Sequence, residues 1–127
     1  MTGPDKFAEH KMEREKAKVM AKILVIDDDS SIRETLDLYL TEEGYLVETA
    51  ATGTDGLNKF TQKPPDVVIL DIRLPDVNGF RILEDIREED ENAKVIMITA
   101  HHDMESTIRA MKEGAFDYIH KPVDVNE

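Results

Sequence analysis

The stretch Pro64-Pro65-Asp66-Val67-Val68-Ile69-Leu70-Asp71-Ile72-Arg73-Leu74-Pro75-Asp76-Val77-Asn78-Gly79 constrains this chain more than any other. A run of Val, Ile and Leu with no polar interruption reads as a strand buried on both faces, the kind found inside a parallel sheet. The run ends on a carboxylate, and a loop punctuated by Pro75 and Gly79 leads into a helical pattern. Asp71 is therefore expected at the carboxyl edge of its strand, where open α/β sheets place their ligands.

The same grammar repeats along the chain. Ile23-Leu24-Val25-Ile26 is a second buried strand and runs into Asp27, Asp28 and Asp29. Ser31 and Glu34 match a capping box, Ile32, Leu36, Tyr39 and Leu40 give one apolar helical face, and Gly44 supplies its stop. A weaker strand is expected over Tyr45 to Ala50, followed by a short helix from near Thr52 with Leu57 and Phe60 inward. Beyond the Asp71 loop, Phe80, Leu83 and Ile86 share a helical face. Lys94 to Ala100 reads as the fourth strand, Met104, Ile108 and Met111 define a helix stopped by Gly114, and Asp117 to Lys121 is the last strand, closed by Pro122. Strands alternating with helices five times in about a hundred residues imply parallel pairing through right-handed crossovers, with helices on both sheet faces. The fold class is a doubly wound α/β sandwich.

A chain of 127 residues is one domain's worth. Residues 1–21 read as an N-terminal leader or arm, rich in helix formers but without a sustained apolar face, and residues 22–127 as the domain. The net charge is −12, and since residues 1–22 hold six Lys/Arg and four Asp/Glu, residues 23–127 carry 10 − 24 = −14. So negative a field repels phosphate backbones and anionic membranes while attracting basic surfaces and divalent cations, which argues against direct nucleic-acid binding. Without Cys there is no disulfide or thiolate chemistry, and no apolar run reaches signal-peptide or membrane-span length, so the cytoplasm is the default location.

Parallel strands align their carboxyl ends, which here carry Asp27 and Asp28, then Asp71, Thr99 and Lys121. Taken singly, a strand-end Asp is a turn former or helix cap, and Asp29, Asp76 and Asn78 are read that way. His101 and His102 are read as loop residues rather than ligands. Convergence is what changes the reading of the others. Clustered carboxylates cannot all stay ionised without a cation, and hard oxygen donors without His or Cys suit Mg²⁺ rather than zinc. Asp71 can then serve as a carboxylate nucleophile, with the cation and the Lys121 ammonium offsetting charge on a transferring group and Thr99 donating a hydrogen bond to it.

Ile23 to Asp29, Val67 to Gly79, Ile98-Thr99-Ala100 and Tyr118-Ile119-His120-Lys121-Pro122 together resemble the receiver domain of two-component response regulators, over about residues 22–125. The resemblance implies a five-stranded sheet of order 2-1-3-4-5. It further implies that Asp71 accepts a phosphoryl group from a sensor histidine kinase, with Mg²⁺ bound by Asp28, Asp71 and the Arg73 backbone carbonyl, and by Asp27 largely through metal-bound water. Thr99 and Lys121 would contact the phosphoryl oxygens, and Tyr118 would be the aromatic that turns inward when Thr99 moves. A cis Lys121–Pro122 bond is implied as well. Arg73 and His101, two residues beyond Asp71 and Thr99, flank the route of hydrolytic water and are expected to tune the lifetime of the acyl phosphate. The chemistry expected is self-phosphorylation and autodephosphorylation at Asp71, not enzymatic turnover of other substrates.

Thr99-Ala100-His101 and Gly114 to Tyr118 are most similar to NtrC-like regulators, bacterial activators of transcription with attached ATPase and DNA-binding domains. Expected partners are the kinase, a second receiver, and output domains of a longer parent protein. Receivers carry a fifth helix after Lys-Pro, whereas five residues follow Pro122, so a domain truncated after the fifth strand is expected. Two alternatives compete: a haloacid-dehalogenase-type Mg²⁺-dependent phosphatase, which looks for a second Asp where Arg73 stands, and a receiver-shaped scaffold without phosphorylation.

Overall fold

A computed structural model describes residues 21–100 and 104–121. The leader, His101 and the Lys121–Pro122 bond with the residues after it lie outside this range. The elements are β1 (Lys22–Ile26), α1 (Ser30–Glu42), β2 (Leu46–Ala50), α2 (Gly53–Gln62), β3 (Val67–Asp71), α3 (Gly79–Glu89), β4 (Lys94–Thr99), α4 (Met104–Lys112) and β5 (Asp117–His120). Every pairing is parallel and the order is β2-β1-β3-β4-β5, the doubly wound arrangement that the alternating pattern predicts.

Alternation along the central strands divides the core between two faces. Leu24, Ile26, Val68, Leu70 and Met97 pack with Phe60 of α2 and Leu83 and Ile86 of α3. Ile23 and Val25 face the other way, onto Leu36 of α1. Leu24, Val25, Ile26 and Leu70 are at most 1% exposed. At roughly 1.5–3 kcal/mol for each fully buried aliphatic side chain, these strands anchor the sheet, so the residues at their ends inherit a rigid mount.

Local chemistry sets the helix ends, with one departure from expectation. Asp29, not Ser31, caps α1: its carboxylate accepts the Ser31 N–H at 2.9 Å, and Ser31 sits inside the helix. The extended backbone needed at an N-cap falls on Asp29, and the third carboxylate of the acidic run thereby acquires a local partner. Gly44, at φ +97°, closes the helix, with the Tyr45 N–H bonded to the Leu40 carbonyl.

Ile108 and Met111 of α4 are nearly half exposed, while Ala110 is buried. The apolar period thus marks the helix but not its inward side. Strand limits also tighten by a residue: Tyr45, Ala100 and Lys121 lie just outside β2, β4 and β5.

Close packing at Gly56 gives a direct test. A Cβ there would lie 2.5–2.9 Å from three side-chain atoms of Ile26, itself fully buried at the end of β1. Gly56→Ala is expected to lower stability by about 1–2 kcal/mol in urea unfolding, overpacking outweighing the gain in helix propensity.

Candidate functional site

Register brings the site together. Ile26 pairs with Leu70, so Asp27 and Asp71 are the next positions on neighbouring strands. On the other side, Asp71 pairs with Ile98 and Thr99 with His120, which sets Thr99 and Lys121 at the same edge. The Lys121 N–H donates to the Thr99 carbonyl at 2.8 Å, tying the last strand's end to β4. Of the residues expected at the edge, Asp27, Asp71 and Thr99 are buried, Lys121 is largely so, and Asp28 is exposed.

The Lys121 ammonium lies 2.9 Å from Asp27 Oδ2 and 3.3 Å from Asp71 Oδ2. Asp71 Oδ1 accepts the Arg73 backbone N–H at 3.3 Å, and Asp27 Oδ1 accepts the Asp29 N–H at 2.9 Å. Burial first, and then the Asp27 charge, raise the Asp71 pKa to about 6 against the opposing pull of Lys121 and the Arg73 N–H. At pH 7 most of this carboxylate is still ionised, and its charge is poorly compensated. Burial by itself would lower the Lys121 pKa, but the two carboxylates outweigh it and hold it above the ordinary value.

One carboxylate oxygen from each of Asp27, Asp28 and Asp71 falls within 4.8 Å of the others. Asp27 Oδ2 is buried and makes no hydrogen bond among the described residues, the ammonium beside it being an ion-pair contact outside hydrogen-bond geometry. A buried oxygen with spare lone pairs in an all-oxygen set is what a hard divalent cation requires. The donor set therefore fits Mg²⁺, with Asp28 at the solvent side.

Arg73 has an exposed side chain, and its backbone forms an isolated antiparallel bridge to Asn78. Tyr118 is half-buried against the larger core cluster, its ring 5.0 Å from that of His120 in an edge-on arrangement. Two features escaped the sequence. Arg33 Nη1 donates to the Asp27 carbonyl at 2.8 Å, clamping the turn between β1 and α1; its only signal was a cation in the first turns after an acidic strand end. Asp76 does cap a helix, but it is α2, more than 20 residues earlier in the chain.

A family model for the response regulator receiver domain matches residues 23–127. The chain is 41% identical over 105 residues to the DNA-binding transcriptional regulator NtrC of Proteus hauseri, 83% of this chain but 22% of that protein. It is 40% identical over 104 residues to the transcriptional regulatory protein AfsQ1 of Streptomyces coelicolor, 82% of this chain and 46% of that one. The chain thus spans from about a fifth to under half of the length of these relatives. A CheY-like response regulator receiver domain from Methanospirillum hungatei superposes with a TM-score of 0.80 at 36% identity, covering 84% of this chain and 86% of that one. Among the described residues no helix is long and apolar enough to cross a membrane.

Proposed function

Since this chain belongs to the family of response regulator receiver domains, we propose that Asp71 is its phosphoacceptor in a two-component phosphorelay. One observation carries the assignment: Asp71 is a buried carboxylate sharing an all-oxygen cluster with Asp27 and Asp28, with an ammonium 3.3 Å away. An Asp71 oxygen attacks phosphorus, the N–P bond of the kinase's phosphohistidine breaks, and the imidazole leaves with the electron pair and gains a proton from solvent. The product is a mixed anhydride on Asp71.

Asp27, Asp28, Asp71 and the Arg73 carbonyl would hold Mg²⁺, which when bound neutralises charge on the transferring oxygens. Lys121 offsets the remaining charge, and the Thr99 hydroxyl donates to a phosphoryl oxygen. Arg73 and His101 tune how long the anhydride lasts.

Phosphorylation adds close to two negative charges to the cluster. In our reading Thr99 is drawn toward them and Tyr118 turns inward, reshaping the α4 and β5 face, on which Ile108 and Met111 of α4 are already exposed. A second receiver or an output domain reads that face, and the likeness to transcriptional regulators, of which this chain spans only part, supports transcription as the output. Neither the phosphatase nor the scaffold alternative gains an observation from the site.

Incubation with a small acyl-phosphate donor tests the assignment. Stoichiometric labelling that requires Mg²⁺, survives acid and is lost in base is expected; steady turnover of an unrelated phosphomonoester would favour a phosphatase instead.

A further inference from the structure

The loop between β3 and α3 is closed at its base and pinned at its tip. At the base, the Gly79 N–H bonds to the Ile72 carbonyl at 2.6 Å and Arg73 bridges Asn78. At the tip, the Asp76 carboxylate reaches across to α2, where Oδ1 accepts the Gly53 N–H at 2.8 Å and Oδ2 accepts the Thr54 N–H at 2.9 Å and its hydroxyl at 2.7 Å. The other two N–H groups of that helix start are satisfied from Thr52, by its hydroxyl for Asp55 and its carbonyl for Gly56. Asp76 thus meets the donors that the local sequence leaves over. Hydrogen bonds from Thr54 and Gly53 hold its pKa down at about 2, so it is ionised throughout the working range. Val77 seats beside it, in the space an alanine at position 53 would take: a Cβ there would lie 2.4 Å from Val77 Cγ1.

We propose that Asp76 is a positioning residue for the cation site, holding against α2 the loop whose backbone presents the Arg73 carbonyl. The inference rests on the receiver assignment above. A carbonyl ligand cannot be aimed by changing a rotamer; its direction follows the loop's backbone, and a charge-assisted three-point tie fixes that backbone from outside.

Mg²⁺ titration of the full chain, by calorimetry or amide NMR, tests it beside the rate of labelling by a small acyl-phosphate donor. Asp76→Ala is expected to weaken Mg²⁺ binding by about 3–10-fold, within or below the usual range for losing support behind a metal ligand. Labelling should slow at low Mg²⁺ and recover at saturating Mg²⁺. Thr54→Val, which changes no charge, should move both in the same direction by less, and it decides the matter if Asp76→Ala does not fold. A lowered unfolding midpoint with unaltered Mg²⁺ affinity in these variants would make Asp76 a helix cap only and overturn the inference, leaving the receiver assignment standing. Failure of the unmodified chain to bind Mg²⁺ or to label would instead strike that assignment.

Discussion

Asp71→Asn is expected to reduce labelling by a small acyl-phosphate donor to background and, without Mg²⁺, to raise the unfolding temperature. The first effect follows because an amide oxygen is too weak a nucleophile to form the anhydride. The second follows from the charge balance of the site. Burial and Asp27 put the folded-state pKa of Asp71 near 6, above the ordinary value of 3.8. An acid shifted upward loses stability as pH rises from its unfolded-state pKa through its folded-state one, so the cost is absent below about pH 4 and complete above about pH 6. Allowing for screening at the open edge of the site, ionised Asp71 costs about 1–2 kcal/mol, and the amide removes that cost. At pH 7.5 in a chelator the variant should therefore melt several degrees higher. At pH 4 the two proteins should melt together. Thermal scans at both pH values check the sign.

The opposite pattern is expected of Lys121→Met. Its ammonium sits between Asp27 and Asp71, and a methionine leaves two buried carboxylates facing each other. With the folded-state pKa of Lys121 held above 10.5, the stabilisation from this cation is complete below 10.5 and is lost only as pH rises through the folded-state value. At neutral pH in a chelator we expect a loss of about 1–3 kcal/mol, discounted from the cost of breaking a fully buried pair because the side chain retains some solvent contact. Mg²⁺ should restore part of it. Labelling at saturating Mg²⁺ should slow by about 10²-fold, the usual consequence of removing one stabilising donor to a transferring group. Combining the two substitutions should not give the sum of their effects, because part of the cost of losing Lys121 comes from leaving an ionised Asp71 beside Asp27, and the amide removes that part.

Much of this arrangement was legible in the sequence because it depends on pattern and register. An apolar run that ends on Asp or Thr announces both a buried strand and what its edge presents. Parallel pairing then brings Asp27, Asp71, Thr99 and Lys121 together with no further information. What stayed hidden are contacts between segments distant in sequence. Asp76 and Asn78 look alike as turn-forming residues, yet Asn78 caps its own helix, α3, while Asp76 caps α2. Nothing local in the chain distinguishes them. Arg33 is only six residues from its partner Asp27, but that partner is a carbonyl, an acceptor every residue carries. On α4 the periodicity of Met104, Ile108 and Met111 fixed the helix, but burial of Ala110 turned Ile108 and Met111 outward. At α1 the choice between Ser31 and Asp29 as cap was decided by backbone conformation at the third Asp, which side-chain preference does not encode.

The central claim is that folding gathers Asp27, Asp28 and Asp71 into one cation site at which Asp71 is transiently esterified. Borohydride reduction after phosphodonor treatment, followed by peptide mass spectrometry, tests it most directly, because reduction of an aspartyl phosphate leaves homoserine at the modified position. The account predicts homoserine at position 71 alone, and only when Mg²⁺ is present. Homoserine elsewhere, or at position 71 in equal amount with the metal chelated, would contradict it.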